Sequence, residues 1–554
     1  MRLKLLAGAA LAAASPAFAQ APAPGSPAFE AAARAYAAAD RGDRDAALRE
    51  ARAAAAAAPG HRDYRLLLFH SLIAAGERAE AEQVASALVR DFGTDPAFDL
   101  SRAALLAELE RRAEARALLS EAIASGRLTP AEERTARLTL ADVAQADQDP
   151  RAALAALAPL PEFSYDVLAR RGFARSALGH YEAALSAFDD AFHLAVAPDR
   201  RALMARSRIG ALAELGRRAE ARAAFDSHLA AGLFADMSPL DLAYLASSAG
   251  ADAEARTQFA RAEAAGTLRG SALLDAGYAA RRAGDDAAAI RYFEAALAEN
   301  RAGTLPLEPQ SRYYVVQEVA TLTRTFGGYL SASRGQTGTW SGAPAPAVGA
   351  AYAGGEIYWR PPALGRQVDV FARAFMTLDA DQGATGGDTL QGYAGVRWRP
   401  FLDYNLVFEG SYLFPIGDQA RTDWLVRAAY SIGQGGDVRF DRPNWANWSV
   451  YGEVGHFLRT GQTVANAEAR YGRGFALGGH VMATPFVGAR AAYDSALARQ
   501  FSLGAGPGVS LRSGLGGNPW RAPAAFLDLT LQYRFPVAGG EQGEGVFAGA
   551  TLSY

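Results

Sequence analysis

The amino-acid sequence predicts an α + β multidomain chain: a tetratricopeptide α-solenoid followed by an antiparallel transmembrane β-barrel of about 12 strands. Composition changes abruptly near residue 310, because 38 of the 56 Gly and all seven Trp lie from Ser311 onward. Ala, Arg, Leu and Glu dominate the earlier part, which repeats with a period of 34 residues. The later part alternates apolar and polar residues. Helices are therefore expected before the break and strands after it.

Charge and composition exclude several classes of protein. The 554 residues carry 56 basic and 59 acidic side chains, a net charge of −3, which argues against a nucleic-acid partner held by global charge. A hydrophobic content of 50% with 21% charged residues excludes a disordered chain. The chain has no Cys, so disulfides, thiolate metal sites, iron–sulfur clusters and cysteine nucleophiles are excluded. We expect no cofactor.

The first 19 residues predict export. Arg2 and Lys4 precede a short apolar run, and Ala-Phe-Ala closes it, which places signal cleavage between Ala19 and Gln20. A buried N-terminal helix would explain neither the flanking charges nor the Ala-x-Ala site. No later stretch has the length and apolar character of a membrane-spanning helix. A membrane location would therefore require a barrel.

Residues 20–303 are predicted to form the repeats. A Gly followed about four residues later by Glu-Ala or Ala-Ala recurs, with Glu110 in the place of one Gly and a degenerate copy near 147–153. Steps of 34 residues join positions 42, 76 and 110, and again positions 216, 250 and 284. An Ala-rich bundle without a fixed repeat does not explain these steps. Each repeat is expected to be a helix pair whose gap is filled by one large side chain, namely Phe188, Phe225, Phe259 or Phe293.

The solenoid predicts a concave groove, which in such arrays binds a peptide, a partner protein or a polymer. We expect periplasmic proteins as one class of occupant. Residues 304–324 are expected to form a linking helix with Pro309 near its start.

Residues 325–554 are predicted to form the barrel. Leu527, Leu529, Leu531, Tyr533 and Phe535 share one face, for example, and polar residues share the other. The strand candidates are 325–335, 347–359, 368–374, 390–399, 405–412, 423–431, 448–458, 464–474, 485–495, 501–512, 526–535 and 545–554. A soluble sandwich or barrel alternates in the same way. The export signal, the aromatic strand ends and the Gly content favour a membrane barrel.

Charged residues opposite the apolar stripe are expected to line the lumen, because an Arg facing lipid at the midplane costs about 2–4 kcal/mol. The predicted lumen residues are Asp369, Arg373, Tyr393, Arg397, Arg399, Glu409, Arg427, Glu453, Glu468, Arg470, Arg490, Arg512, Asp528 and Arg534. They could form a hydrated pathway, or a self-neutralising lumen in which Arg–carboxylate pairs fill space. Twelve strands lie between the filled and the open size classes.

One connection does not fit a simple barrel. With the repeats on the periplasmic side, the turn at about 432–447 should be short, yet it is long. Either it folds into the mouth of the barrel or the strand count slips there.

A search for catalytic chemistry finds little. No pair of the seven His has metal-ligand spacing, and neither a Gly-x-Ser-x-Gly motif nor a phosphate loop is present. We expect no metal site. An outer-membrane enzyme using His456 or His480 is the remaining catalytic alternative.

Three stretches, at 325–333, 354–361 and 370–374, resemble the phage-adsorption protein A (NfrA) family over about residues 310–554. The order of parts is also similar to the tetratricopeptide-plus-barrel proteins that export cellulose and poly-N-acetylglucosamine. The resemblance implies an outer-membrane receptor used by a phage. It also implies action with an inner-membrane glycosyltransferase in exporting a surface polysaccharide. The repeat region is shorter than expected for that family.

Two hypotheses follow for a protein of the Gram-negative outer membrane, in contact with its lipid and with its N-terminal domain in the periplasm. In the first, the protein belongs to a polysaccharide export system. The repeats guide the polymer or partners, and the barrel provides the exit, with Tyr393 and Tyr451 stacking on sugars. In the second, it is a barrel-anchored repeat scaffold or surface phage receptor without transport activity.

Overall fold

A computed structural model describes residues 25–161, 163–335, 350–380, 383–401, 404–540 and 544–554. The predicted signal and its cleavage site at Ala19 and Gln20 lie outside these residues. The chain divides into two compact units, Met1–Ala251 and Asp252–Tyr554.

The described part of the first unit is helical. Its helices are α1 Pro27–Asp40, α2 Arg44–Ala57, α3 Arg62–Ala75, α4 Arg78–Phe92, α5 Pro96–Glu108, α6 Arg112–Ala124, α7 Pro130–Ala146, α8 Pro150–Leu157, α9 Tyr165–Ala177, α10 Tyr181–Leu194, α11 Pro198–Glu214, α12 Arg218–Ala230 and α13 Pro239–Ser248. Pro occupies the first turn of six of them, where its missing N–H costs nothing. None of the described helices has both the length and the apolar character needed to cross a membrane.

Tight turns at one fixed position of the repeat confirm the predicted helix pairs. Gly42, Gly76, Gly179 and Gly216 have φ between 71° and 84°, a left-handed conformation that closes each pair. Where the Gly is missing, Glu110 (φ 60°) and Gln148 (φ 59°) adopt the same conformation. The predicted substitution of Glu110 for Gly is therefore real, and Gln148 is its counterpart in the degenerate copy.

Close helix packing also follows the prediction. A Cβ built on Gly172 would lie 2.4 Å from Cε1 of Phe188, so only Gly lets that ring lie against α9. The predicted gap-filling rings of Phe188, Phe225, Phe259 and Phe293 are all at most 2% exposed.

The second unit begins with four helices, α14 Asp252–Ala264, α15 Ser271–Arg282, α16 Asp286–Ala302 and α17 Pro309–Thr323. Helix α17 lies within residues 304–324, where a linking helix is predicted, and Pro309 is its first residue.

Twelve antiparallel strands close into a barrel, in which β1 pairs with both β2 and β12. They are β1 Phe326–Arg334, β2 Ala351–Trp359, β3 Val368–Asp379, β4 Gln391–Trp398, β5 Asn405–Pro415, β6 Asp423–Gln434, β7 Asn444–Phe457, β8 Thr463–Gly478, β9 Val481–Asp494, β10 Phe501–Leu515, β11 Ala525–Gly539 and β12 Gly545–Ser553. All twelve predicted strands are present, and closure leaves no unpaired edge.

The barrel is apolar outside and polar inside. Outward side chains are exposed, such as Leu330, Ile357, Val487 and Leu531 at 52–71%. Charged residues occupy the inner positions of the same strands. This inside-out arrangement is that of an outer-membrane protein, and it differs from a soluble barrel, whose exterior is polar.

Candidate functional site

The barrel interior carries a network of buried charged side chains. Period-two alternation along each strand turns one set of residues inward. Eight of the predicted lumen residues are at most 8% exposed: Asp369, Arg373, Tyr393, Glu409, Arg427, Glu453, Arg490 and Arg534.

Arg373 on β3 bridges two carboxylates. Its Nη2 lies 2.6 Å from Oε2 of Glu356 on β2, and its Nη1 lies 3.1 Å from Oε1 of Glu409 on β5. The side chains of Arg373 and Glu409 have no solvent exposure. Arg397 on β4 joins the pair, with Nη2 2.9 Å from Glu356. Guanidinium groups suit this role because they donate in several directions at once.

The network continues into β6 and β7. Arg427 donates to Glu409 at 2.6 Å and to Glu453 at 2.7 Å. The hydroxyl of Tyr451 donates to the same Glu453 oxygen at 2.7 Å, and Asn466 donates to its other oxygen at 3.1 Å. Each carboxylate is thus shared between donors from different strands.

Nearer to α17, Asp369 takes the central position. It is fully buried and contacts Arg360 at 3.2 Å, Arg399 at 2.6 Å and Arg397 at 3.6 Å. Three guanidinium groups therefore surround one carboxylate at the start of β3.

The opposite wall is richer in Arg. Glu468 on β8 pairs with Arg470 and, at 3.3 Å, with Arg490 on β9. On β11 the Nε of Arg534 donates to Gln532 at 2.8 Å, and its guanidinium lies 4.1 Å from the centre of the Phe547 ring. Stacking on an aromatic face stabilises a buried guanidinium group.

A cluster of apolar side chains fills the lumen toward the end away from α17. It consists of Phe375, Tyr393, Leu413, Leu425, Phe457 and Val464, with Tyr329 and Tyr352 packed against it. Tyr393 is 2% exposed and lies edge-on to Phe375, so no face of its ring is open to a sugar.

Glycines in the strands make room for lumen aromatics. A Cβ on Gly354 would lie 1.7 Å from Cδ1 of Phe375 on the neighbouring strand, and one on Gly395 would lie 2.8 Å from Phe371. The Gly content of this part of the chain is therefore partly a consequence of a packed interior.

Several lumen side chains near α17 are exposed to solvent. The Arg399 side chain is 25% exposed, while Arg512 and Asp528, 3.7 Å apart, are 34% and 36% exposed. We call this half of the lumen the vestibule.

Helix α17 packs on the barrel turns at the mouth of the vestibule. The side-chain oxygen of Gln310 accepts from the backbone N of Phe440 at 2.7 Å, and Arg312 donates to the carbonyl of Pro519 at 3.0 Å. The Tyr313 ring contacts the rings of Phe440 and His480. The long connection between β6 and β7, at 435–443, therefore folds into the mouth, and the strand count does not slip.

Burial in this contact shifts the pKa values of Tyr313 and His480. Burial, with the negative charge of Asp437, raises the pKa of Tyr313 to about 12. Burial also lowers the pKa of His480, because the charged imidazolium loses water there. Both side chains are neutral at pH 7.

The predicted lumen residues that are not fully buried are Arg397, Arg399, Glu468, Arg470, Arg512 and Asp528, and all six contact an opposite charge. Sequence reasoning missed Glu356, the partner of Arg373, because the small residues that precede it blur the alternation on β2. It also missed Asn466, Gln532 and Arg360. No group of His, Asp and Glu in the described part of the chain could hold a metal ion.

Residues 382–550 match the family model described as Bacteriophage N adsorption protein A C-term. This match confirms the resemblance inferred from the sequence for the C-terminal region. No curated protein matches the chain.

Solved structures similar to the chain include tetratricopeptide proteins. A tetratricopeptide repeat protein from Parabacteroides merdae is 16% identical and covers 43% of this chain and 93% of its own, with a TM-score of 0.35. MamA from Desulfovibrio magneticus is 18% identical over 31% of this chain and 97% of its own, with a TM-score of 0.29. PilF of Pseudomonas aeruginosa is 16% identical over 36% and 90%, with a TM-score of 0.31.

Proposed function

We propose that this protein is a barrel-anchored tetratricopeptide scaffold and surface receptor of the outer membrane, whose barrel is closed to solutes. The observation that carries the proposal is the filled lumen. Arg373, Glu409 and Asp369 have no exposed side-chain surface, and an apolar cluster seals the end away from α17. A polymer or ion in transit needs a continuous wet path, which these side chains occupy.

Two further features support the scaffold role. Helix α17 packs on three barrel turns through Gln310, Arg312 and Tyr313. This contact favours a barrel that holds the last helices firmly rather than a pore with a free entrance. The matched phage-adsorption family supports the receptor role, with the turns away from α17 as the exposed surface. We place the repeats in the periplasm, where their groove recruits partner proteins.

Polysaccharide export with the barrel as the exit is the second candidate. The vestibule favours it, because Arg399, Arg512 and Asp528 keep exposed polar surface that could hydrogen-bond to sugar hydroxyls. In this candidate the apolar cluster must move aside, and an inner-membrane glycosyltransferase supplies the polymer. No catalytic role is assigned to the chain in either candidate.

Conductance of the full chain in planar bilayers separates the two. The closed scaffold predicts no stable conductance steps from the unmodified protein, because the Arg373–Glu409 pair and the apolar cluster both lie across the lumen. A steady conductance of the unmodified protein would reject the closed scaffold. The cellular counterpart is a gene deletion followed by phage adsorption and glycan analysis. Loss of adsorption with unchanged glycans supports the receptor.

A further inference from the structure

The outer wall of the barrel has a groove across β5–β10. Its volume is about 570 Å³. Its lining includes Leu406, Ala428, Tyr430, Val450, Gly452, Val454, Ala465, Ala467, Ala491, Tyr493 and Phe501. These are outward positions, since the intervening Ala429 and Glu453 are buried inside.

The register of the strands explains why a groove forms here. Gly452 on β7 lies opposite Ala467 on β8, which lies opposite Ala491 on β9. Three of the smallest side chains thus stand in one row and form the floor. Tyr430 and Phe501, on strands to either side, are 40% and 45% exposed and form walls. The lining extends over six strands, from Leu406 on β5 to Phe501 on β10.

A polar rim borders the end of this groove away from α17. His456 and Thr463 face outward there, with His456 Nδ1 2.9 Å from Thr463 Oγ1. Arg459 and Arg499 lie in the adjoining turns 458–462 and 495–500 and are exposed. Within the described residues neither side chain forms an ion pair.

The nearby carboxylates do not neutralise this rim. Asp423 is fully buried and accepts hydrogen bonds from the backbone N of Arg459 and from the hydroxyl of Thr460. Asp494 is 2% exposed and is held by the amide of Gln462. In the described part of the chain no carboxylate pairs with Arg459 or Arg499, so two exposed guanidinium groups lie next to an apolar groove.

We propose that this groove binds an acyl chain of an anionic, phosphate-bearing lipid, with the Arg459 side of the rim contacting the phosphate. An empty groove in a wall that faces hydrocarbon loses contacts, so a flexible chain fills it better than the flat face of a second barrel. Cationic side chains at the interface attract anionic headgroups. The two parts of the site thus match the two parts of such a lipid. This inference does not depend on whether the lumen conducts.

Native mass spectrometry of the full chain in detergent tests the proposal, with dimyristoylphosphatidylglycerol as the anionic probe and dimyristoylphosphatidylcholine as the zwitterionic one. Ala467→Phe fills the floor and should weaken binding of both lipids about tenfold. Ala394→Phe places the same ring outward on β4, outside the groove, and should leave binding unchanged. If Ala467→Phe fails to show the heat-modifiable mobility of a folded barrel, Ala491→Leu takes its place.

The rim is tested separately. Arg459→Gln should reduce the preference for the anionic lipid over the zwitterionic one. Arg473→Gln, which changes an Arg on β8 near the opposite end, should not. Unchanged lipid binding in the filled-groove variant would overturn the proposal. The proposal would also be overturned if the unmodified protein were a dimer without bound lipid and Ala467→Phe made it a monomer. That result would assign the groove to a second copy of the chain.

Discussion

Arginine–carboxylate pairs recur in both parts of the molecule, but their surroundings differ. In the repeats, Arg78 on α4 reaches Glu108 on α5 at 2.6 Å, and the two side chains are 51% and 35% exposed. In the barrel, Arg373 reaches Glu409 at 3.1 Å with no exposure at all. Water screens the attraction in the first pair, and it hydrates the two charged groups if the pair breaks. The second pair has no such alternative, so removing one partner leaves a buried charge.

The comparison teaches that the same chemistry has different consequences in the two parts. The repeats are held by apolar packing, and their exposed pairs contribute mainly to orientation. The barrel has its apolar surface outside, so its interior depends on mutual neutralisation among a few charged residues. Predictions can test each part separately, because all seven Trp lie in the barrel half and report its unfolding by fluorescence, while the far-ultraviolet helix signal reports the repeats.

The largest effect is expected for Arg373→Met. It leaves Glu356 and Glu409 with fewer donors in a dry lumen and should destabilise the barrel by about 3–5 kcal/mol. Urea unfolding followed by Trp fluorescence measures it. Adding Glu409→Leu should recover part of the loss. A cost below about 1 kcal/mol would mean that water reaches this pair.

A smaller loss is expected in the repeats for Gly172→Ala. The new Cβ would lie 2.4 Å from the Phe188 ring, and such overpacking costs about 1–3 kcal/mol. Gly210→Ala is the matched control, because a Cβ there meets nothing within 4 Å. The helix signal should melt earlier only in the first variant. Equal melting temperatures of the two variants would show that α9 and α10 can move apart to accommodate the added methyl group.

A gain is expected where a residue other than Gly holds the left-handed turn. Glu110→Gly and Gln148→Gly should each stabilise the repeats by about 1 kcal/mol, since L-residues pay that much in this conformation. Gly179→Ala, at the same position of another repeat, should destabilise them by a similar amount. A neutral result for all three would show that these turns carry no strain.

Acidification should loosen the contact between α17 and the barrel. The folded state lowers the pKa of His480, so stability from this contact is complete above the unfolded value of about 6.5 and falls as the pH drops below it. The loss arises because the His480 ring is buried against the rings of Tyr313 and Phe440. The charges of Asp437 and Arg512 act on the neighbouring Tyr313. Hydrogen exchange of α17 at pH 7 and pH 5 measures the effect. His480→Gln should abolish the difference between the two pH values.

The smallest effect is expected for Arg78→Ala, about 0.2–1 kcal/mol, because its pair with Glu108 is exposed. A double-mutant cycle with Glu108→Ala isolates the pair. High salt should reduce the coupling further. If the coupling energy of Arg78 with Glu108 were as large as that of Arg373 with Glu409, the exposed pairs of the repeats would not differ in strength from the buried pairs of the barrel.

Much of the fold could be predicted because it depends on local patterns. The 34-residue step located the turns, including the one in which Glu110 replaces Gly. Period-two alternation located all twelve strands, and Pro309 marked the start of α17. The interior could not be predicted in detail, because it depends on register. Whether Phe375 meets Gly354, or Arg373 meets Glu356, is decided by which residues of neighbouring strands lie side by side.

The filled lumen is the clearest example. The alternation predicted that Tyr393 and Glu409 face the lumen. It could not show whether the lumen is lined by water or filled by side chains. That distinction arises from the aromatic rings that lie over strand glycines and from the shared carboxylates. The long connection at 435–443 was ambiguous for a similar reason, since only the contact of Phe440 with Tyr313 shows where it folds.

Thiol labelling of the full chain in lipid tests the closed lumen most directly, because the protein has no Cys of its own. Ser411 is 1% exposed in the middle of the lumen, whereas Ser449 is exposed in the vestibule beside Arg470. A charged, membrane-impermeant thiol reagent should modify Ser449→Cys readily and leave Ser411→Cys unmodified until the barrel unfolds. Comparable labelling of both variants would contradict a filled lumen and favour a continuous aqueous path.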